Sequence, residues 1–139
     1  MASIENCYLI DLPKKDDKRG SLSFAESCNH VPFAIDRIYY LYDIPKGGER
    51  GAHAHKALEQ VMIAISGHFK ITLDDGDKRE TFVLDKKNQG LFIPKMIWRD
   101  MFNFSRDAVC LVLASEYFDE KDYIRDYDEF LSLAHSYES

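Results

Sequence analysis

Cysteine is scarce and odd in number. The chain holds Cys7, Cys28 and Cys110, with no Cys-x-x-Cys spacing. That pattern excludes a disulfide framework or a zinc ribbon as the organising device. Basic residues are in deficit, with Lys plus Arg at 18 against 24 for Asp plus Glu, a net charge of -6. Non-specific nucleic-acid binding needs a basic surface, so nucleic acid is not an expected partner. A local arginine cluster can still hold a small anion. No apolar run approaches the ~20 residues of a membrane-spanning helix, and nothing at the amino terminus resembles a secretory leader. The expected compartment is the cytoplasm, with no membrane partner. Linkers, repeats and low-complexity tracts are also missing, so one domain over residues 1–139 is expected.

Apolar residues make up 45% of the chain and aromatics 13%, with eight Tyr and nine Phe. This supplies a core and favours β-rich packing. Phe69, Ile71 and Leu73 alternate with Lys70 and Thr72, the period of a half-buried strand. Asp74-Asp75-Gly76-Asp77 is a hairpin signal, because Asp-Gly accepts positive φ. About nine or ten short strands with frequent turns predict a sandwich or barrel. The run Pro13 to Gly20, charged from Lys14 to Arg19, reads as a turn. Only the tail reads as helical, over 119–135, with Asp119 as its cap and Ile124, Tyr127, Leu131 and Ala134 at helical spacing.

The chemistry concentrates in Arg50-Gly51-Ala52-His53-Ala54-His55-Lys56, followed by Glu59 and the apolar run Val61 to Ile65. In an extended chain, His53 and His55 project from one face. Paired imidazoles suit metal binding or proton transfer. Surface solvation of the same residues is the plainer alternative.

These residues resemble the first motif of the cupins, small jelly-roll β-barrels. His53-x-His55-x-x-x-Glu59 matches, and Gly67 falls one position late. In the second cupin motif Pro94 and Asn103 are in register, but Met96 replaces a glycine and Arg99 replaces a histidine. Arg99 is a permanent cation and cannot ligate a metal. The metal site therefore reads as broken, although His53, His55 and Glu59 alone still compose a facial triad.

The chain is more closely similar to the sugar 3,4-ketoisomerases that act on dTDP-4-keto-6-deoxyglucose. The resemblance runs over residues 19–130 and includes Arg19-Gly20-Ser21-Leu22, Arg37-Ile38-Tyr39-Tyr40 and Asp122-Tyr123-Ile124-Arg125. It implies an all-β, single-domain cupin with a short C-terminal helix. It also implies a homodimer whose N-terminal strands are exchanged between subunits, with no metal and no cofactor. The implied reaction yields a dTDP-3-keto-6-deoxyhexose for 3-amino-3,6-dideoxy sugars of cell-surface glycans. A PLP-dependent aminotransferase is the implied pathway neighbour. By the same resemblance His53 is the base, His55 a second proton-transfer group or orienter, and Tyr39 and Arg50 polarise the C3 and C4 oxygens. Arg19, Arg37, Glu59, Trp98 and Arg99 are the expected substrate contacts. The alternatives are a metal-dependent cupin oxygenase or isomerase, a non-catalytic nucleotide-sugar-binding cupin and a 3,5-epimerase.

Overall fold

Twelve strands and one helix follow from this pattern in the computed structural model, which describes residues 2–136. The strands are β1 (Tyr8–Asp11), β2 (Lys14–Asp17), β3 (Gly20–Ser23), β4 (Arg37–Leu41), β5 (Arg50–His55) and β6 (Gln60–Ser66). They continue with β7 (Phe69–Asp74), β8 (Arg79–Leu84), β9 (Gln89–Ile93), β10 (Trp98–Phe102), β11 (Val109–Ala114) and β12 (Tyr123–Ile124), before α1 (Tyr127–His135). Two five-stranded antiparallel sheets form, ordered β1-β9-β6-β11-β4 and β12-β5-β10-β7-β8, with β2-β3 as a separate hairpin. The all-β expectation holds. The two sheets stay distinct as a sandwich, so the expected barrel does not close.

The alternation read in β7 is realised, with Phe69, Ile71 and Leu73 buried and Lys70 and Thr72 half-buried. These inward residues meet Met62, Ala64, Leu91, Ile93 and Val112 in the core. β6 is buried along most of its length because its other face is also covered. Val61 and Ile63 pack there under Leu12, Val31 and Phe33. Burial on both faces explains why this strand reads as a continuous apolar run. The β7–β8 hairpin pairs Asp74 with Arg79, and Gly76 takes the positive φ of 94° expected of it.

The helix begins later than expected. Asp119 caps only a 3-10 turn over Glu120–Asp122, and Asp126 caps α1 through the amides of Asp128 and Glu129. Between them, Tyr123 and Ile124 pair with His55 and Ala54. Backbone committed to that ladder cannot continue a helix. α1 then packs Phe130 and Ala134 against Trp98, Ala54 and Ile124. Burying a side chain of the size of Phe130 contributes roughly 1.5–3 kcal/mol, which ties the tail to the back of β5. The charged turn is also corrected. Lys14–Asp17 is a strand, paired with Gly20–Ser23, and all eight residues of this hairpin are exposed.

Candidate active site

A β-bulge sets the site. His53 pairs with Arg99, Gly51 with Asp100 and Arg50 with Met101, which leaves Ala52 as the extra residue. Gly51 and Ala52 accordingly have φ of 91° and 57°. Paired residues share a face, so Arg50, His53 and Arg99 lie together although 50 and 53 are an odd distance apart. A straight strand would set them on opposite faces. Gly51 is required for a second reason, since a Cβ there would lie 2.9 Å from the Arg99 carbonyl oxygen.

The two imidazoles meet edge to face, with ring centroids 4.9 Å apart. Tyr123 packs on both, at 5.0 Å from His53 and 4.4 Å from His55. His53 Nδ1 lies 3.0 Å from the Gly51 carbonyl oxygen. A carbonyl only accepts, so Nδ1 carries the proton and Nε2 keeps its lone pair. His55 Nδ1 lies 2.9 Å from Asp122 Oδ2, and the same carboxylate accepts the amides of Ala57 and Leu58. That contact fixes the same tautomer. The ring is fully buried, and its Nε2 has no partner among the described residues.

Arg99 lies beneath this pair, 1% exposed. Nη1 donates to Gln60 Oε1, and Nη2 donates to the Ile97 carbonyl at 2.9 Å. Gln60 Nε2 in turn donates to Tyr39 Oη at 2.7 Å. The Arg37 guanidinium lies 5.1 Å from the centre of the Tyr39 ring and 5.7 Å from that of Phe118. Among the described residues, Arg19, Arg79 and Arg125 pair with carboxylates, whereas Arg37, Arg50, Arg99 and Arg106 do not. Three of these unpaired charges, on Arg37, Arg50 and Arg99, act on the two neutral imidazoles.

Burial first, and the Arg99 charge second, push His53 down to about 4. The same two causes lower His55, against the pull of its Asp122 partner. Burial lowers Arg99 as well, but only to about 10, so it stays charged at neutral pH. Tyr39 is raised by burial and remains a phenol. The buried thiols of Cys7 and Cys110 are pushed up to about 12 by desolvation and are not nucleophiles at neutral pH.

The chain has known relatives. A family model described as FdtA, WxcM-like, C-terminal, matches residues 5–135. A TDP-4-oxo-6-deoxy-alpha-D-glucose-3,4-oxoisomerase of Aneurinibacillus thermoaerophilus is 44% identical over 122 residues, 88% of each chain. The chain belongs to the FdtA family of sugar 3,4-ketoisomerases. Solved structures of the family agree. The 3,4-ketoisomerase QdtA of Thermoanaerobacterium thermosaccharolyticum, a histidine-to-asparagine mutant in complex with TDP-4-keto-6-deoxyglucose, is 40% identical. The match covers 97% of this chain and 98% of that one, with a TM-score of 0.94. The TDP-quinovose 3,4-ketoisomerase WlaRB of Campylobacter jejuni is 49% identical, over 93% of this chain and 99% of its own, with a TM-score of 0.89.

In this FdtA-family chain the fold unites His53, His55, Arg50, Arg99, Arg37 and Tyr39. It separates three other expected contacts from them. Glu59 lines a groove of about 360 Å³ with Lys56, Pro94, Lys95 and Met96. Its neighbour Gln60 turns inward instead, because successive strand residues face opposite ways. Trp98 likewise alternates with Arg99 and stacks under α1, 5.2 Å from Tyr127 and 5.7 Å from Phe130. Arg19 sits at the β2–β3 turn with its side chain 91% exposed, bonded to Asp17. The cupin metal triad therefore lacks its carboxylate, has a guanidinium in place of its last histidine, and does not fit a metal. Among the described residues no three His, Cys, Asp or Glu side chains group as a metal site.

Gln60, Asp122 and Tyr123 were not legible as site residues. Asp122 lies 67 positions from His55, and no spacing rule reaches that far.

The lowered His53 also sets a pH dependence. The unfolded imidazole titrates near 6.5, the folded one near 4. The unfolded chain therefore binds more protons between those values, and stability rises with pH across that window and is lost as pH falls through it. Urea unfolding at pH 7, 5.5 and 4 is expected to show this loss, reduced in a His53→Asn variant. A flat profile would contradict the buried neutral imidazole.

Proposed function

We propose that this chain converts dTDP-4-keto-6-deoxyglucose to a dTDP-3-keto-6-deoxyhexose. The observation that carries this reading is the pair of neutral imidazoles, His53 half-buried and His55 fully buried, each bonded through Nδ1 so that Nε2 keeps its lone pair, beside unpaired arginines and the Tyr39 hydroxyl.

His53 Nε2 takes the proton from C3. The released electron pair forms the C3–C4 double bond, and the C4 carbonyl becomes an enolate oxygen. Tyr39, Arg50 and Arg99 surround that charge with donors, which act most strongly in a water-poor site. The 3-hydroxyl passes its proton to the C4 oxygen, which becomes the 4-hydroxyl. The electron pair left on the C3 oxygen forms the 3-ketone as the C3–C4 double bond takes a proton at C4 from the His53 imidazolium, directly or relayed through His55. His53 thereby returns to its neutral form. Neutral imidazoles at pH 7 are ready to accept protons, and the adjacent cations favour the anionic intermediate. Arg37 is suited to the diphosphate, because a guanidinium fork matches phosphate oxygens. The product is a ketone suited to a PLP-dependent aminotransferase.

The acting species in this reading is a cytoplasmic homodimer. The exposed β2–β3 hairpin and the exposed apolar residues Leu22, Phe24, Ile38, Tyr40 and Tyr42 support a partner surface. Exchanging N-terminal strands would replace the pairing of β1 with its own β9 by the same pairing in trans. The hairpin would then carry Arg19 to the partner's site. Sedimentation is expected to give a dimer, and Leu22→Asp with Phe24→Asp a monomer; an unchanged dimer would remove the hairpin from the interface.

Mixing chelator-treated protein with dTDP-4-keto-6-deoxyglucose in D2O, followed by NMR, tests the reaction. A 3-keto product bearing deuterium at C4 is expected. Exchange at C5 would favour an epimerase. Nucleotide binding with no new ketone would favour a non-catalytic binder, and activity lost to the chelator would revive the metal reading.

A further inference from the structure

We propose that Gln60 is a positioning residue that sets the hydrogen-bond polarity of Tyr39, so that the phenol offers its proton to the substrate. The inference rests on the ketoisomerase reading and extends it to a residue outside the histidine motif.

Arg99 sets the direction of the network. A guanidinium presents only N–H groups. The Gln60 atom that faces it must therefore be the amide oxygen, and Arg99 Nη1 donates to Oε1. The amide is planar, so its NH2 group points the other way. That group donates to Tyr39 Oη at 2.7 Å. Tyr39 thus accepts from the protein, and its single hydrogen is left over. Among the described residues its hydroxyl has no other hydrogen-bond partner. The free hydrogen lies on the same buried network as Arg99, whose strand pairs with His53. It is available where the C4 oxygen gains charge.

An amide is the group this task requires. Gln60 is fully buried and neutral, so it fixes the direction of the network without cancelling the Arg99 charge. A carboxylate of nearly the same shape would accept from both neighbours. It would take the Tyr39 proton and neutralise Arg99 together. The chain has a carboxylate at 59 and an amide at 60, and the pleat turns the first outward and the second inward. Arg99 also has an unpartnered Nε, so its charge is already sparsely compensated.

The experiment compares Gln60→Glu in the native and the Tyr39→Phe backgrounds, with turnover measured against pH. In the native background kcat is expected to fall roughly 10²-fold, the usual loss of one donor to a developing oxyanion, with KM little changed. The acid limb of the rate profile is expected to move to higher pH, because the groups facing His53 are Arg99, Arg50, Arg125, His55 and Tyr123, and one of these charges becomes offset. In the Tyr39→Phe background the drop in kcat at the pH optimum should shrink to the part that comes from offsetting the Arg99 charge. A purely structural role would instead change stability, leave the acid limb in place and add in full to the Tyr39→Phe loss; that result, or full activity in Gln60→Glu, overturns the proposal. Neutron diffraction of the wild-type protein decides the point independently of folding in the variant. A hydroxyl deuteron directed away from Gln60 upholds it, and one directed at Gln60 overturns it. Failure of the wild-type protein to convert dTDP-4-keto-6-deoxyglucose would refute the ketoisomerase reading and leave the neutron result to settle the polarity.

Discussion

His53→Asn is expected to lower kcat by about 10³-fold, within the range contributed by a general base in proton transfer, while dTDP binding by calorimetry stays as in the wild type. Asparagine is close in size and can still donate to the Gly51 carbonyl, so the bulge keeps its local bond. What it lacks is a basic nitrogen in place of Nε2. The acid limb of kcat/KM in the wild type should fall near the low His53 value of about 4 and not near 6.5. An imidazole held neutral to that point gives a rate plateau through mildly acidic pH. Retention of turnover in His53→Asn would move the base to His55, whose Nε2 is also free and whose Asp122 contact fixes its tautomer.

The second large effect is at Arg99. Arg99→Met is expected to reduce turnover by roughly 10²-fold, as for loss of one donor to an oxyanion, without destabilising the fold. Both halves have the same origin. The guanidinium is almost fully buried, no carboxylate pairs with it among the described residues, and its Nε has no partner. The hydrogen bonds lost at Gln60 Oε1 and the Ile97 carbonyl are offset by relief of a buried, unpaired charge. Its value is electrostatic. It is the second-largest cause of the low His53 and His55 values after burial. Removing it should therefore also raise the acid limb of the rate profile. Thermal unfolding and a pH–rate series check both consequences. A marked loss of stability with normal turnover would make Arg99 a structural residue.

The strand content and the site differ in how far local rules reach them. Period-2 patterns identified β7, and the Asp-Gly turn identified the β7–β8 hairpin, because these signals involve neighbours in the chain. The helix starts later than its residue types predict for the opposite reason. Asp119 has the residue type of a cap, but residues 123 and 124 are taken up by pairing with β5. Lys14–Asp17 looks like a solvated turn from its charges, and its strand is one that leaves every side chain exposed. Arg50 and Tyr39 were assigned through resemblance. The register that sets Arg50 beside His53 depends on the bulge at Ala52, which no residue-by-residue propensity specifies.

The sequence by itself determined the all-β class, the pair His53 and His55 on one face, and the replacement of a cupin ligand by Arg99. Each depends on residue identity or on a period of two. The tertiary structure decided what stands around that pair. It selected Gln60 over Glu59, turned Trp98 towards the helix and away from the histidine pair, and brought Asp122 from a distant turn to His55. Those choices come from the parity of side chains in a bulged sheet and from contacts between segments far apart in the chain. Neither is encoded in local spacing, because both arise only when the two sheets and the C-terminal turn pack together.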